Sequence, residues 1–231
     1  MIPFNDTEPN RYTSFPFMTA ALICLNILIL GIEDILVETN MARFIEVIQL
    51  YGTVPSLTLS RQGGGALSAV THMFLHGGIF HLFGNMLGLW VFGRRIEDVC
   101  GPWRFLFFYL VCGLFADVIS TVTQAHSTTP GIGASGALYG IMAAYLMIFP
   151  KGRIHTVLIA TIVPFFFKIR AYWIILYFIL LEIPPALRIL IYQADYQVGH
   201  WAHLGGFFGG LFVFLFLRAD AFHRYRNELP L

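Results

Sequence analysis

The fold turns on how IHTVLIATIVPFFF, residues Ile154 to Phe167, is read. An α-helix rises about 1.5 Å per residue and a bilayer's hydrocarbon is about 30 Å thick, so a crossing takes about 20 apolar residues. This stretch has 14, interrupted by Pro164 and followed closely by Lys168 and Arg170. It predicts a segment lying in the interface rather than a crossing. Working outward, six other apolar stretches are long enough to cross, some with tilt or local thinning: 14–32, 69–93, 103–123, 133–149, 171–192 and 201–217. Counting Ile154 to Phe167 as a seventh crossing would reverse the direction of the last two.

Composition agrees with this reading. The 231 residues are 57% hydrophobic and only 12% charged, with a mean hydropathy of +0.71, whereas soluble domains carry about 25% charge. An ordinary soluble domain is excluded. The prediction is an all-α, polytopic membrane protein: one bundle of six transmembrane helices, forming a single domain over residues 1–231. Lys and Arg number 14 against 13 acids, so no global field draws nucleic acid. Cys24, Cys100 and Cys112 have the spacing of neither a disulfide framework nor a metal site. The first 16 residues show no cleavage-site pattern, so 14–32 reads as a first anchor. Residues 33–68, ending in Gly63-Gly64-Gly65, read as lying on or partly in the outer leaflet. Of the 14 Lys and Arg, 11 fall on the side holding both termini and 3 opposite. Both termini are therefore expected in the cytoplasm.

Polar residues inside hydrocarbon are costly and mark function. Stretch 69–93 carries His72, His76, His81 and Asn85; 133–149 opens with Gly133-Ala134-Ser135-Gly136; 201–217 carries His203. Ser135 lies 14 residues before Phe149 and His203 lies 14 before Leu217, so both sit about 21 Å from the inner edge. His81 lies about 18 Å from that edge by the same rise, with Asn85 one turn deeper on the same face. Three helices thus deliver polar groups to one level, about 10 Å below the outer surface. Gly136 and Gly140, Gly205 and Gly209, and Gly206 and Gly210 have the spacing that lets helix backbones approach closely. Stretches 133–149 and 201–217 are expected to pack face to face.

A serine and a histidine brought together this way form the minimum nucleophile and general-base pair for acyl transfer. Ser135 also stands at a helix start, where unpaired backbone N–H groups suit a developing oxyanion, and His81 and Asn85 add side-chain donors.

Gly133-Ala-Ser135-Gly136, His81-x-x-x-Asn85 and Ala202-His203-x-x-Gly206-x-x-x-Gly210, in this order, resemble the rhomboid family of intramembrane serine proteases over essentially the whole chain. The resemblance implies a catalytic Ser135/His203 dyad with no acid completing a triad. It also implies an oxyanion hole of His81, Asn85 and the Ser135 N–H, with Tyr139 stacked on the histidine and Gly133 and Gly136 in support. No metal and no organic cofactor is implied. Substrates would be transmembrane segments of other proteins, cut near the outer face where small, helix-breaking residues let the backbone unwind. A bacterial plasma membrane is the expected location. Gly93 to Gly101, with Glu97, resembles the family's loop between the second and third helices. One departure is visible: many members carry a Trp-Arg pair shortly before the second helix, and Leu67-Ser68 stands there.

Blander readings attach to each feature singly. A lone GxSG is common in membrane-helix packing. His72 and His76, four apart, have metal-ligand spacing but lack a third ligand, so outer-end polar packing is the better reading. Asp117 and Glu182 are intramembrane acids, readable as a proton path, a gate or a carboxylate orienting His203; Glu182 precedes Pro184-Pro185, where a helix break is expected. The alternatives to a protease are an inactive rhomboid-like binder of membrane clients and a six-span proton-coupled transporter.

Overall fold

In the computed structural model, the described residues are 1–12, 15–160, 163–192 and 198–227, with side chains described except at 159, 160, 163 and from 216 onward. Among them are ten α-helices: α1 (Phe17–Thr39), α2 (Met41–Tyr51), α3 (Pro55–Leu59), α4 (Gly65–Thr71), α5 (Ile79–Gly88), α6 (Arg94–Cys100), α7 (Pro102–Thr123), α8 (Ser135–Ile148), α9 (Ala171–Tyr192) and α10 (His200–Asn227). Three strands, β1 (Ile2–Asp6), β2 (Arg153–Ala160) and β3 (Val163–Arg170), form one antiparallel sheet in that order. The all-α expectation is corrected to this extent. Residues 154–160 and 163–167 are not helical; they supply most of β2 and β3, where each strand satisfies the other's backbone polar groups.

α1, α7 and α9 are long and apolar enough to cross a membrane. α8 and the His200–Leu215 part of α10 are shorter apolar helices. α1 turns polar residues inward and apolar ones outward: Thr19 and Asn26 are fully buried, while Phe17 and Leu28 are about two-thirds exposed. A lipid solvent allows that arrangement and water does not. α1 also runs seven residues beyond the expected 14–32, through Glu33, which is buried. Residues 33–68 hold the end of α1, then α2, α3 and the start of α4.

The expected continuous helix at 69–93 is broken. α4 passes into a 3₁₀ turn at His72–Phe74, the chain extends through Leu75 to Gly78, and α5 starts afresh at Ile79. The two halves meet at 85°. Gly78 adopts φ +120°, which favours glycine. The buried His76 N–H left by the break is met by the carboxylate of Glu33 on α1, at 3.3 Å to each oxygen. After α5 a π-helical turn at Leu89–Gly93 leads into α6. Conversely, Pro184-Pro185 do not break α9, which continues to Tyr192.

α6 ties down the chain's start. No side chain within α1's own start caps it; instead Glu97 accepts the backbone N–H groups of Met18 and Thr19 at 2.8 and 2.7 Å and the Thr19 hydroxyl at 2.7 Å. Asp6, on β1, pairs with Arg94 and Arg95 at 2.5 and 2.7 Å and accepts the Tyr145 hydroxyl at 3.3 Å. The sheet therefore sits at the C-terminal end of α8, opposite Ser135.

Close helix contact is built from glycine. A Cβ on Gly206 would fall inside the backbone of Gly136, and one on Gly210 would lie 2.5 Å from the Gly140 Cα, so α10 and α8 touch backbone to backbone. Gly205 and Gly209 turn the other way, onto Ile119 and Phe115 of α7, at 2.6 and 2.5 Å from an added Cβ. Two glycine pairs on one helix thus serve two neighbours, which fixes the rotation of α10 and with it the direction of His203.

Candidate active site

Ser135 is the first residue of α8, so its own N–H belongs to the group that helix geometry leaves without an intrahelical acceptor. The segment leading to it is pinned: Thr53 and Gly131 exchange backbone hydrogen bonds, and the Gly133 N–H donates to the His72 carbonyl at 2.8 Å. His203 lies in the first turn of α10. The Ser135 hydroxyl and His203 Nε2 are 2.7 Å apart, bridging 68 residues of sequence. A neutral histidine accepts at Nε2 only when its proton is on Nδ1, so this hydrogen bond with the serine as donor specifies the tautomer.

Tyr139, one turn after Ser135, lies flat on the His203 ring, with centroids 4.5 Å apart and planes 3° from parallel. Its hydroxyl donates to Glu182 Oε1 at 2.6 Å. Glu182 Oε2 in turn is 2.6 Å from His200 Nδ1 and 3.1 Å from His203 Nδ1. A carboxylate thus stands at the far side of the imidazole from Ser135. The approach to His203 has charge-pair distance without hydrogen-bond alignment.

On the other side of Ser135, His81 and Asn85 lie one turn apart on α5. His81 Nδ1 accepts the Gly77 N–H at 3.3 Å, which leaves its proton on Nε2. Gly133, at φ +119°, lies so close that an added Cβ would sit 2.8 Å from His81 Nε2 and 3.5 Å from Asn85 Nδ2. Both donors therefore face one spot beside Ser135. The Asn85 amide nitrogen is buried and has no partner among the described residues. A buried, unpaired donor is costly unless something arrives to accept from it.

Ser135, His203, His81, Asn85, Tyr139 and Gly133 all line one cavity of about 880 Å³, which Phe80 and Phe83 of α5 and Phe178 of α9 also line. His72 and Asp117 also line this cavity but make their contacts with one another and with neighbouring groups, not with Ser135. His72 is buried with Nδ1 3.0 Å from the Ser68 carbonyl, beside Asp117, which also meets Thr53. His76 packs edge-on against His81, centroids 5.1 Å apart. Leu67-Ser68, where many relatives carry Trp-Arg, sits on α4 with Leu67 exposed.

Sequence reading missed His200. Its spacing of three before His203 places the two on one helix face, and that was the signal available. Among the described residues, Glu182, His200 and His203 form the one group able to hold a metal ion. Tetrahedral zinc at about 2.0–2.1 Å would separate its ligand atoms by about 3.3 Å, wider than the 2.6 Å between Glu182 and His200. Charged hydrogen bonding accounts for the spacing without an ion.

Fold and site together define a multi-pass helical membrane protein whose interior pairs a serine with a histidine. Residues 64–220 match the family model of the Rhomboid domain, and the chain belongs to the rhomboid family. RHOMBOID-like protein 1 of Arabidopsis thaliana is 29% identical over 187 residues, 75% of this chain and 43% of that protein. RHOMBOID-like protein 6, mitochondrial, from the same plant is 30% identical over 171 residues, 72% of this chain and 50% of that one. Rhomboid protease GluP of Bacillus subtilis (strain 168) is 38% identical over 84 residues, 36% of this chain and 16% of that protein. The matches span half or less of these relatives' length.

Proposed function

We propose that this protein is an intramembrane serine endopeptidase that hydrolyses a peptide bond in or beside a transmembrane segment of another protein. The observation that carries the reading is the 2.7 Å contact between Ser135 Oγ and His203 Nε2 beside a buried, unpartnered Asn85 amide, in a cavity that also holds His81. Ser135 Oγ bonds to the scissile carbonyl carbon as its proton passes to His203 Nε2. The carbonyl oxygen gains the negative charge, and His81 Nε2–H, Asn85 Nδ2–H and the Ser135 N–H supply donors for it. His203 then gives its proton to the leaving amine as the C–N bond breaks, and water releases the acyl group by the same route. Family membership supports the reading, as does the matched bacterial relative named a rhomboid protease.

In this reading six crossings are made by α1, the bent unit of α4 and α5, α7, α8, α9 and α10, with both termini in the cytoplasm and Ser135 toward the outer face. Substrate helices enter between α5 and α9, where the cavity is lined by Phe80, Phe83 and Phe178. The test is treatment of the detergent-purified protein with a serine-directed fluorophosphonate and mapping of the adduct by mass spectrometry. Labelling at Ser135 that is lost in His203→Ala is the expected result. Folded wild-type protein that takes no label would favour the inactive client binder instead.

A further inference from the structure

We propose that Glu182 is a positioning residue for His203 in the Ser135/His203 dyad, its carboxylate set beside Nδ1; the inference rests on the protease reading above. In a neutral imidazole a single proton is shared between two nitrogens. Nε2 must be bare to take the Ser135 proton, so Nδ1 must carry the hydrogen, and the atom it faces is Glu182 Oε2 at 3.1 Å. When Ser135 Oγ bonds to carbon and its proton moves to Nε2, His203 becomes an imidazolium. The carboxylate beside Nδ1 then balances a charge that hydrocarbon would otherwise leave uncompensated.

The surroundings of Glu182 fit that task. It is buried on α9, where an unpaired carboxylate would be costly. Its two oxygens face three groups: the Tyr139 hydroxyl on Oε1, and His200 Nδ1 and His203 Nδ1 on Oε2. The Tyr139 hydroxyl donates to one oxygen, and either histidine with its proton on Nδ1 presents a donor to the other, an arrangement that suits an ionised carboxylate. Tyr139 links the two functions, holding the face of the His203 ring and the carboxylate at its edge. The titratable groups around His203 are His81 on α5, Tyr139 on α8, Glu182 on α9 and His200 on its own helix, while Asp117 of α7 is engaged with His72 and Thr53. Among them Glu182 is the acid whose carboxylate lies against the His203 ring, 3.1 Å from Nδ1.

The experiment uses the full chain in detergent with two readouts. Nitrogen-15 NMR of histidine-labelled wild-type protein, with the His203 signals assigned by their loss in His203→Ala, reads the tautomer directly. A proton on Nδ1 with a bare Nε2 is expected. Fluorophosphonate inactivation of Glu182→Gln, which preserves size and one acceptor oxygen, should show the maximal inactivation rate reduced about 10²-fold with the half-saturating concentration unchanged. Resting His203 protonated at Nε2 overturns the proposal, as does a folded Glu182→Gln whose maximal rate equals wild type or whose defect lies only in half-saturation. Should Glu182→Gln fail to fold, Glu182→Asp, which keeps the charge at a shorter reach, replaces it in the same rate measurement: a reduced maximal rate is expected, and a wild-type maximal rate overturns the proposal. Absence of labelling in wild type would instead bring down the protease reading itself.

Discussion

Tyr139 lies parallel to His203, with ring centroids 4.5 Å apart, while its hydroxyl reaches past the imidazole to Glu182 at 2.6 Å. One side chain thus makes two separable contributions, a stacking surface and a hydrogen bond to a charged acceptor. Tyr139→Phe removes only the second, and Tyr139→Ala removes both. Stacking is worth about 0.5–1.5 kcal/mol and the charged hydrogen bond about 1.5–3 kcal/mol before the site relaxes. The expected loss in fluorophosphonate labelling rate at Ser135 is about 10-fold for the phenylalanine and about 50-fold for the alanine. Equal losses would mean that the stack does not orient His203.

Gly133 governs the other side of the serine. Its φ of +119° strains any residue with a side chain, and an added Cβ would lie 2.7 Å from the His81 ring. Gly133→Ala should therefore push His81 away from the position where an oxyanion forms. Loss of one such donor lowers rates about 10²-fold, and the backbone strain itself costs about 1–3 kcal/mol. Labelling should fall by about 10² or more in protein whose thermal transition drops only a few degrees. Labelling at the wild-type rate would remove His81 from the oxyanion site.

The contact of α10 with α8 admits a sharper test of stability. Gly206→Ala puts a methyl into the Gly136 backbone, which cannot yield as a flexible side chain can. Overpacking costs about 1–3 kcal/mol and more where backbone is met. Gly31 of α1 is the control, since an added Cβ there meets nothing within 4 Å and alanine gains helix propensity of up to about 1 kcal/mol. Thermal unfolding in detergent should show Gly206→Ala lowered by many degrees and Gly31→Ala unchanged or raised. Equal midpoints would contradict the backbone contact.

Much of this architecture was legible because its physics is local. Hydrophobic length placed α7 and α9 to within a residue of 103–123 and 171–192, and the Gly136/Gly140 and Gly206/Gly210 spacings anticipated the α8–α10 contact. Helix rise brought Ser135 and His203 to one level. The break at Leu75–Gly78 was hidden because its compensation comes from Glu33, 43 residues earlier. With the break, His72 and His76 leave the helix that carries His81, so the single-helix picture of 69–93 fails while the His81/Asn85 pairing survives. The hairpin of β2 and β3 was read only as non-crossing, since its partner β1 lies at the far end of the sequence. Glu182 was visible as a buried acid, but its partners are set by the rotation of α9 against α10, which no spacing within α9 specifies.

Glu97 offers a prediction about assembly rather than chemistry. Its carboxylate receives three hydrogen bonds at the start of α1, from the Met18 and Thr19 N–H groups and the Thr19 hydroxyl. It serves as a helix cap supplied from 78 residues away in sequence, where the negative charge also meets the positive end of the α1 dipole. Glu97→Gln keeps the shape but removes the charge and puts a donor amide against these N–H groups. Hydrogen bonds to a charged acceptor contribute about 1.5–3 kcal/mol, so a net loss of about 2–4 kcal/mol is expected. Hydrogen exchange should then show the first turns of α1 opening faster, while α8 and α10, which carry Ser135 and His203, keep their protection. Labelling of the remaining folded protein at low temperature should stay within about 2-fold of wild type, because Glu97 lies at the end of the bundle away from the serine. Uniformly faster exchange in α1, α8 and α10 would show instead that α1 docking and the core of the bundle open as one cooperative unit.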